Sequence, residues 1–235
     1  QIIETKIPSW QNHKNLIFPK QLSMEQCSSE HTALYKSKIC TGECCIDLTG
    51  GLGIDSFFIS KSFKKTIHCE KNLELQFIAQ HNFKCLQAKV ESHFTDGIEY
   101  LKQTYKIFDL IYIDPSRRNE NNTKVVRLEE YTPNIIQHLN LFLEKGKQIL
   151  VKTSPLLDIK QAIEQLPQLK EIHVIAVNNE CKELLFLIDA NSSKKQTSII
   201  CKDLVKDFTF KFDNEQELNS KINLSLPQKY IYEPN

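Results

Sequence analysis

Four acids stand where short apolar runs stop: Asp47 in "CCIDLTGG", Glu70 in "IHCEKN", Asp96 in "HFTDG" and Asp114 in "IYIDPSRR". Carboxylates in such places accept hydrogen bonds from the hydroxyls or amines of a ligand lying across the ends of the runs. Glu70 occupies the position from which a carboxylate takes both hydroxyls of a ribose, and Asp96 can take an adenine amine, with Gly97 admitting the backbone. After Asp47 comes a turn that holds Gly50, Gly51 and Gly53, half of the chain's six glycines. Glycines there allow close approach of backbone to a ligand, and a helix starting near Asp55 would point its N-terminus at a phosphate or carboxylate. Gly51 and Gly53 open a GxGxxG pattern, but Ser56 stands at its third glycine position, so a tight turn without a ligand stays open. A single acid at a strand end is commonly a solvated terminus. Four at successive ends point to one shared nucleoside cleft.

The elements that must position these residues alternate. Short β-branched runs near 44–48, 66–70, 91–94, 108–113, 147–152, 171–177 and 184–189 are separated by amphipathic stretches. In one of these Leu73, Phe77, Ile78 and Leu86 recur at helical spacing. This alternation predicts an α/β, Rossmann-like fold: a seven-stranded, mostly parallel sheet with helices on both faces. Too few residues join the last two runs for a parallel crossover, so they must form an antiparallel hairpin. Residues 1–40 are expected to be an N-terminal segment with a helix opened by Ser23, where Gln26 sits at the capping-box position. Residues 41–191 form the catalytic domain of this reading, and 192–235 a small β extension.

With 40% hydrophobic and 25% charged residues, the 235-residue chain can bury one sizeable core. No run approaches the length of a membrane-spanning helix and no secretory signal is evident, so the cytoplasm is the expected compartment. A net charge of +1 argues against a uniformly basic surface; nucleic-acid binding would need local patches. The eight cysteines include no CxxC pair and read as packed reduced thiols rather than zinc ligands or disulfides, and no metal site is expected. The chain begins at Gln1, which suggests an excerpt of a longer protein.

"DLTGGLGID", "CEKN", "TDG" and "DPSRR", with the terminal hairpin, resemble motifs I to IV of class I S-adenosylmethionine-dependent methyltransferases. More narrowly, "LSMEQCSSEHTALYK", "VKTSPLLDI" and "NNECKELLF" resemble bacterial methyltransferases that carry a THUMP-like domain and are related to the RNA cap guanine-N2 (trimethylguanosine synthase) group. In longer relatives the THUMP-like domain would follow "YIYEPN". The resemblance implies S-adenosylmethionine as cofactor and RNA as partner. Asp47 and Thr49, Gly50, Gly51 and Gly53 would then hold its methionine part, Glu70 its ribose, and Asp96 with Gly97 its adenine. The segment around Ser28 and Ser29 would close over the cofactor near the substrate, an ordinary helix cap being the alternative.

Methyl transfer is an in-line displacement that mainly demands alignment and exclusion of water. An exocyclic base nitrogen is a poor nucleophile, and accepting its N–H bonds at the Asp114 carboxylate and the Pro115 carbonyl would favour the attacking form. The amino-methylating motif usually follows its acid with two prolines and an aromatic ring; this chain has Pro115, Ser116 and Arg117. A guanidinium such as that of Arg117 can stack on a base or pair with phosphate, with Arg118 also on the substrate side, or Arg117 and Arg118 are a surface pair. "DPSR" is also similar to the DPPR of uridine-C5 methyltransferases, but Thr153 and Ser154 stand where their cysteine nucleophile is expected, leaving Cys181 as a remote substitute. Three readings follow: a methyltransferase of an RNA base nitrogen, a binding module without turnover, or a methyltransferase of a protein or small molecule. A nicotinamide dehydrogenase fits least.

Overall fold

The structure is a computed structural model that describes residues 2–19, 27–117, 127–192 and 196–220. Its strands are β1 (Gly42–Asp47), β2 (Phe63–Glu70), β3 (Val90–Phe94), β4 (Phe108–Ile113), β5 (Ser116–Arg117), β6 (Tyr131–Thr132), β7 (Gly146–Thr153), β8 (Leu169–Val177), β9 (Glu180–Asp189), β10 (Ser198–Asp203) and β11 (Phe208–Asp213). The helices are α1 (Ile2–Lys6), α2 (Glu30–Ile39), α3 (Ile54–Ile59), α4 (Leu73–Cys85), α5 (Gly97–Gln103), α6 (Ile135–Lys145), α7 (Ile159–Gln165) and α8 (Asn214–Leu218). The helix expected to open at Ser23 lies outside the described residues; α2 begins later, with the Ser29 hydroxyl accepting the Thr32 N–H as its N-cap.

Nine strands form one sheet in the order β11-β10-β8-β9-β7-β4-β1-β2-β3. The β1, β2, β3, β4 and β7 strands run parallel, and β9 is antiparallel to both β7 and β8, as the short connection demands. Asn178 and Asn179, both at positive φ, make the hairpin turn. The sheet is wider than the seven strands expected, because the C-terminal extension joins it: β10 pairs parallel with β8, and β11 antiparallel with β10. Without them β8 would be an edge with its backbone donors and acceptors unpaired.

Alternating residues of the central strands feed two faces. Ile46, Ile67, Ile111, Ile149 and Phe186 pack with Leu101 and Phe142 on one side; Cys45, Leu110, Tyr112, Leu150 and Leu185 pack with Ile59 and Cys40 on the other. A third cluster, Ile7, Trp10, Ala33, Leu52 and Phe58, docks the N-terminal segment onto α3. In α4 the buried side is Ile78, Ala79, Asn82 and Phe83, whereas Leu73 and Phe77 are 62% and 60% exposed. Those two lie one step round the helix from the stripe that faces the sheet, so their spacing was helical but their direction is outward. All eight cysteines are free; Cys40, Cys45 and Cys69 are buried, and burial pushes the Cys40 thiol up to about 12. No helix of the described residues is long and apolar enough to cross a membrane.

Candidate functional site

The parallel half of the sheet delivers its acids to one edge, where β1, β2, β3 and β4 end. Asp47 closes β1 and is buried, its carboxylate taking the Ser56 hydroxyl at 2.5 Å and the Thr49 N–H at 3.0 Å. Ser56, the residue that breaks the GxGxxG pattern, thus serves as a hydrogen-bond donor to the first acid. Burial pushes the Asp47 carboxyl up to about 7; the two hydrogen bonds oppose this, and the charges of Asp55 and Asp114 add to it. Thr49 also accepts the Asp114 N–H at its hydroxyl, 2.7 Å, tying the turn after β1 to the end of β4.

The glycines of the turn have packing reasons of their own. A Cβ on Gly50 would lie 2.2 Å from the His68 ring, and one on Gly53 2.2 Å from the Phe83 ring. His68 fills the first space from β2, with its ring nitrogens near the Ser92 hydroxyl and the Gly51 carbonyl; burial lowers its pKa to about 4, so it is a neutral imidazole. Gly97, expected to admit a ligand, is needed for the close pass of α5 over Leu48, whose carbonyl oxygen would be 2.3 Å from a Cβ. Gly51 differs: its φ is +53° and the space around it is open towards the cleft. Gly53→Ala is therefore expected to lower stability by about 1–3 kcal/mol through overpacking, on top of its left-handed φ of +75°. Gly51→Ala meets only the backbone cost of about 1–2 kcal/mol. Urea unfolding of the two variants checks the difference.

Glu70 ends β2 with one carboxylate oxygen on the Gly51 N–H, 2.8 Å, and the other on the Asn72 N–H, 2.6 Å. Each oxygen keeps a second lone pair. Asp96 caps α5 through one oxygen, which accepts from Ile98 and Glu99. Glu70 and Asp96 line a cavity of about 250 Å³ with Leu48, Cys69, Ile98 and Asp114. A second cavity of about 170 Å³ is lined by Ser28, Asp47, Gly51, Asp55, Tyr112 and Asp114. A third, about 580 Å³, opens over Asp114, Pro115, Ser116, Tyr131, Lys152 and Ser154. Asp114 borders all three, and Thr49 the first two. The first two together fall within the roughly 300–1,000 Å³ of small-molecule pockets.

Sequence reasoning missed what holds the second carboxylate layer. Lys36, 0% exposed, sits 2.7 Å from Glu183 and 3.1 Å from Asp55. The Ser28 and Tyr112 hydroxyls both donate to Asp55 at 2.7 Å, so Ser28 looks into this network while Ser29 caps α2. Burial alone would raise the Asp55 carboxyl, but Lys36 and then Lys152 outweigh it and hold it below the usual carboxylate range. Lys152, on β7, pairs with Asp114 at 2.5 Å. Burial opposes its charge, yet Asp114, Asp55 and Glu183 hold its ammonium well above the usual lysine range. The available signal was weak: a lysine on the one stripe of α2 that also carries Ala33, and a glutamate leading into "LLFLI". Backbone alone is described for Arg117, in the short β5–β6 ribbon, and Arg118 lies outside the described residues.

No protein-family model matches the chain, and no curated protein matches it. Among solved structures it is similar to a candidate methyltransferase from Porphyromonas gingivalis W83, with TM-score 0.83 and 32% identity over 95% of this chain. The chain spans 57% of that protein's length. It is also similar to TrmK of M. capricolum, solved with S-adenosyl-homocysteine: TM-score 0.54, 13% identity, 68% of each chain. A type I restriction-modification methyltransferase subunit from Streptococcus thermophilus gives TM-score 0.54 and 11% identity over 74% of this chain and 47% of that one. The chain has the Rossmann-like α/β fold that these methyltransferases share.

Proposed function

We propose that this chain is an S-adenosylmethionine-dependent methyltransferase that acts on a base nitrogen of RNA. The observation that carries the reading is Asp114, one carboxylate bordering a nucleoside-sized cavity, an amino-acid-sized cavity and a wider third one. The residues fit the cofactor. Leu48, Cys69 and Ile98 give apolar walls for an adenine, with the uncommitted Asp96 oxygen for its amine. The second lone pairs of Glu70 serve ribose hydroxyls, and Asp47 with the turn through Gly53 serves the ammonium and carboxylate end. Bound there, S-adenosylmethionine supplies a methyl group already activated on a sulfonium sulfur. Asp114 accepts an N–H of the acceptor, and such a charge-assisted bond contributes about 1.5–3 kcal/mol. Thr49 fixes the backbone that carries it, and buried Pro115 offers its carbonyl as a second acceptor.

The RNA base as acceptor is supported by the likeness of "LSMEQCSSEHTALYK", "VKTSPLLDI" and "NNECKELLF" to the cap-guanine group, and kinship with the THUMP-like-domain methyltransferases and a cytoplasmic location belong to the same proposal. Calorimetry with S-adenosylmethionine tests the cofactor, and no binding by a folded sample would overturn the reading. Transfer of a labelled methyl group into RNA, with the label released by RNase, tests the acceptor. Label that resists RNase assigns a protein acceptor, and cofactor binding without transfer to any fraction assigns a binding module.

Asp47 gives this reading a pH signature. The ligand ammonium favours the ionised carboxylate, whose proton is held up to about pH 7 in the free protein. Cofactor affinity is therefore expected to rise about tenfold per pH unit below that value, with a proton released on binding. Affinity falls again above about pH 8, as the ligand's own α-ammonium titrates. Asp47→Asn should erase the lower limb and keep the upper one.

A further inference from the structure

We infer that Lys152 is a positioning residue for methyl transfer, holding Asp114 by one carboxylate oxygen and leaving the other to the cleft. The inference rests on the proposed methyltransferase reading and deepens it. β4 and β7 run parallel with Ile113 opposite Val151, so the next residues along, Asp114 and Lys152, come opposite each other at the sheet edge. The Lys152 side chain is only 14% exposed, and its stem is flanked on the far side by Leu185 of β9. Its ammonium meets Oδ2 of Asp114 at 2.5 Å, while the Asp114 side chain stays 37% exposed, its open part bordering the cavities.

An aspartate at the end of a strand is otherwise free to turn about two side-chain torsions. The Thr49 hydroxyl fixes the backbone there by accepting the Asp114 N–H, and Lys152 restrains the side-chain torsions by holding one oxygen. Alignment of the accepted N–H then no longer has to be won when the acceptor arrives. Lys152 is itself held in place electrically, because Asp55 and Glu183 face it from α3 and β9 as well as Asp114. The companion triad of Lys36 with Asp55 and Glu183 belongs to the folded framework, with no edge on the third cavity. Lys152 lines that cavity, which makes its effect specific to the acceptor side.

The test uses Lys152→Ala in the whole chain, with wild-type transfer of labelled methyl into RNA measured first. The expected result is a kcat about 10- to 100-fold lower, with the S-adenosylmethionine Kd kept within about threefold. Truncation at Cβ leaves room for n-propylammonium, which replaces the missing atoms, so millimolar n-propylammonium should restore at least fivefold of the lost rate while n-propanol restores none. A kcat within threefold of wild type, or joint loss of kcat and cofactor affinity without ammonium rescue, overturns the inference. Lys152→Arg keeps the charge but moves the donor, and an intermediate kcat is expected. If the alanine variant does not fold, a wild-type kcat in Lys152→Arg overturns the inference. Wild-type protein that transfers no methyl group overturns the methyltransferase reading instead, and this inference with it.

Discussion

Asp114→Ala is expected to cut methyl transfer by about 10- to 150-fold while changing the S-adenosylmethionine Kd by less than about threefold. The size follows from removing one charge-assisted hydrogen bond to the reacting nitrogen, about 1.5–3 kcal/mol. The split follows from geometry. Glu70, Asp96 and Asp47 hold the three parts of the cofactor in this reading, and none of them relies on the Asp114 side chain for its position. The tie to Thr49 uses the Asp114 backbone N–H, which alanine retains. Lys152 keeps Asp55 and Glu183 as compensating charges, so the variant should fold. Single-turnover rates with labelled cofactor, set beside calorimetric affinities, give the answer. Loss of binding and transfer in proportion would make Asp114 structural, and undiminished transfer would remove it from the chemistry.

The second large effect falls on stability. Lys36→Met should lower the free energy of unfolding by about 3–5 kcal/mol, since it strands buried carboxylates that have lost their cation. Asp55 and Glu183 both face the Lys36 ammonium, and all three side chains are buried. Against a total of roughly 5–15 kcal/mol for a domain, that loss brings the variant near its folding limit at 37 °C. Adding Glu183→Gln to Lys36→Met removes one stranded charge and should recover part of the loss, a coupling readable as a double-mutant cycle in urea. A single variant within 1 kcal/mol of wild type would show that water or Lys152 already neutralises the pair. Because Ser28 and Asp55 line the amino-acid cavity, the weakened variant should also bind cofactor less tightly.

Much of this molecule is written in short stretches of its sequence. The strands before Asp47, Glu70 and Asp114 were legible because a short, nearly continuous apolar run ends visibly at an acid. The antiparallel hairpin was legible because so short a connection, two residues in the structure, cannot span a parallel crossover. The glycine turn was legible as a turn, but its reasons were not. His68, Phe83 and Leu48 decide where a Cβ has no room, and they come from β2, from α4 and from the end of β1. The outward direction of Leu73 and Phe77, and the capture of the C-terminal strands by β8, likewise depend on which surface an element meets.

By itself, then, the sequence determined where the parallel strands run along the chain and which acids follow them, because each depends on spacing within about ten residues. Only the tertiary structure decided that Lys152 faces Asp114, and that Lys36 lies buried between Asp55 and Glu183. Those partners are 38, 19 and 147 positions apart, brought together by the β4–β7 register for Lys152 and Asp114 and by the packing of α2 against α3 and β9 for Lys36. A buried charge needs a counter-charge, but local pattern does not say which one, and in this fold the answer lies on neighbouring strands and helices distant in the chain.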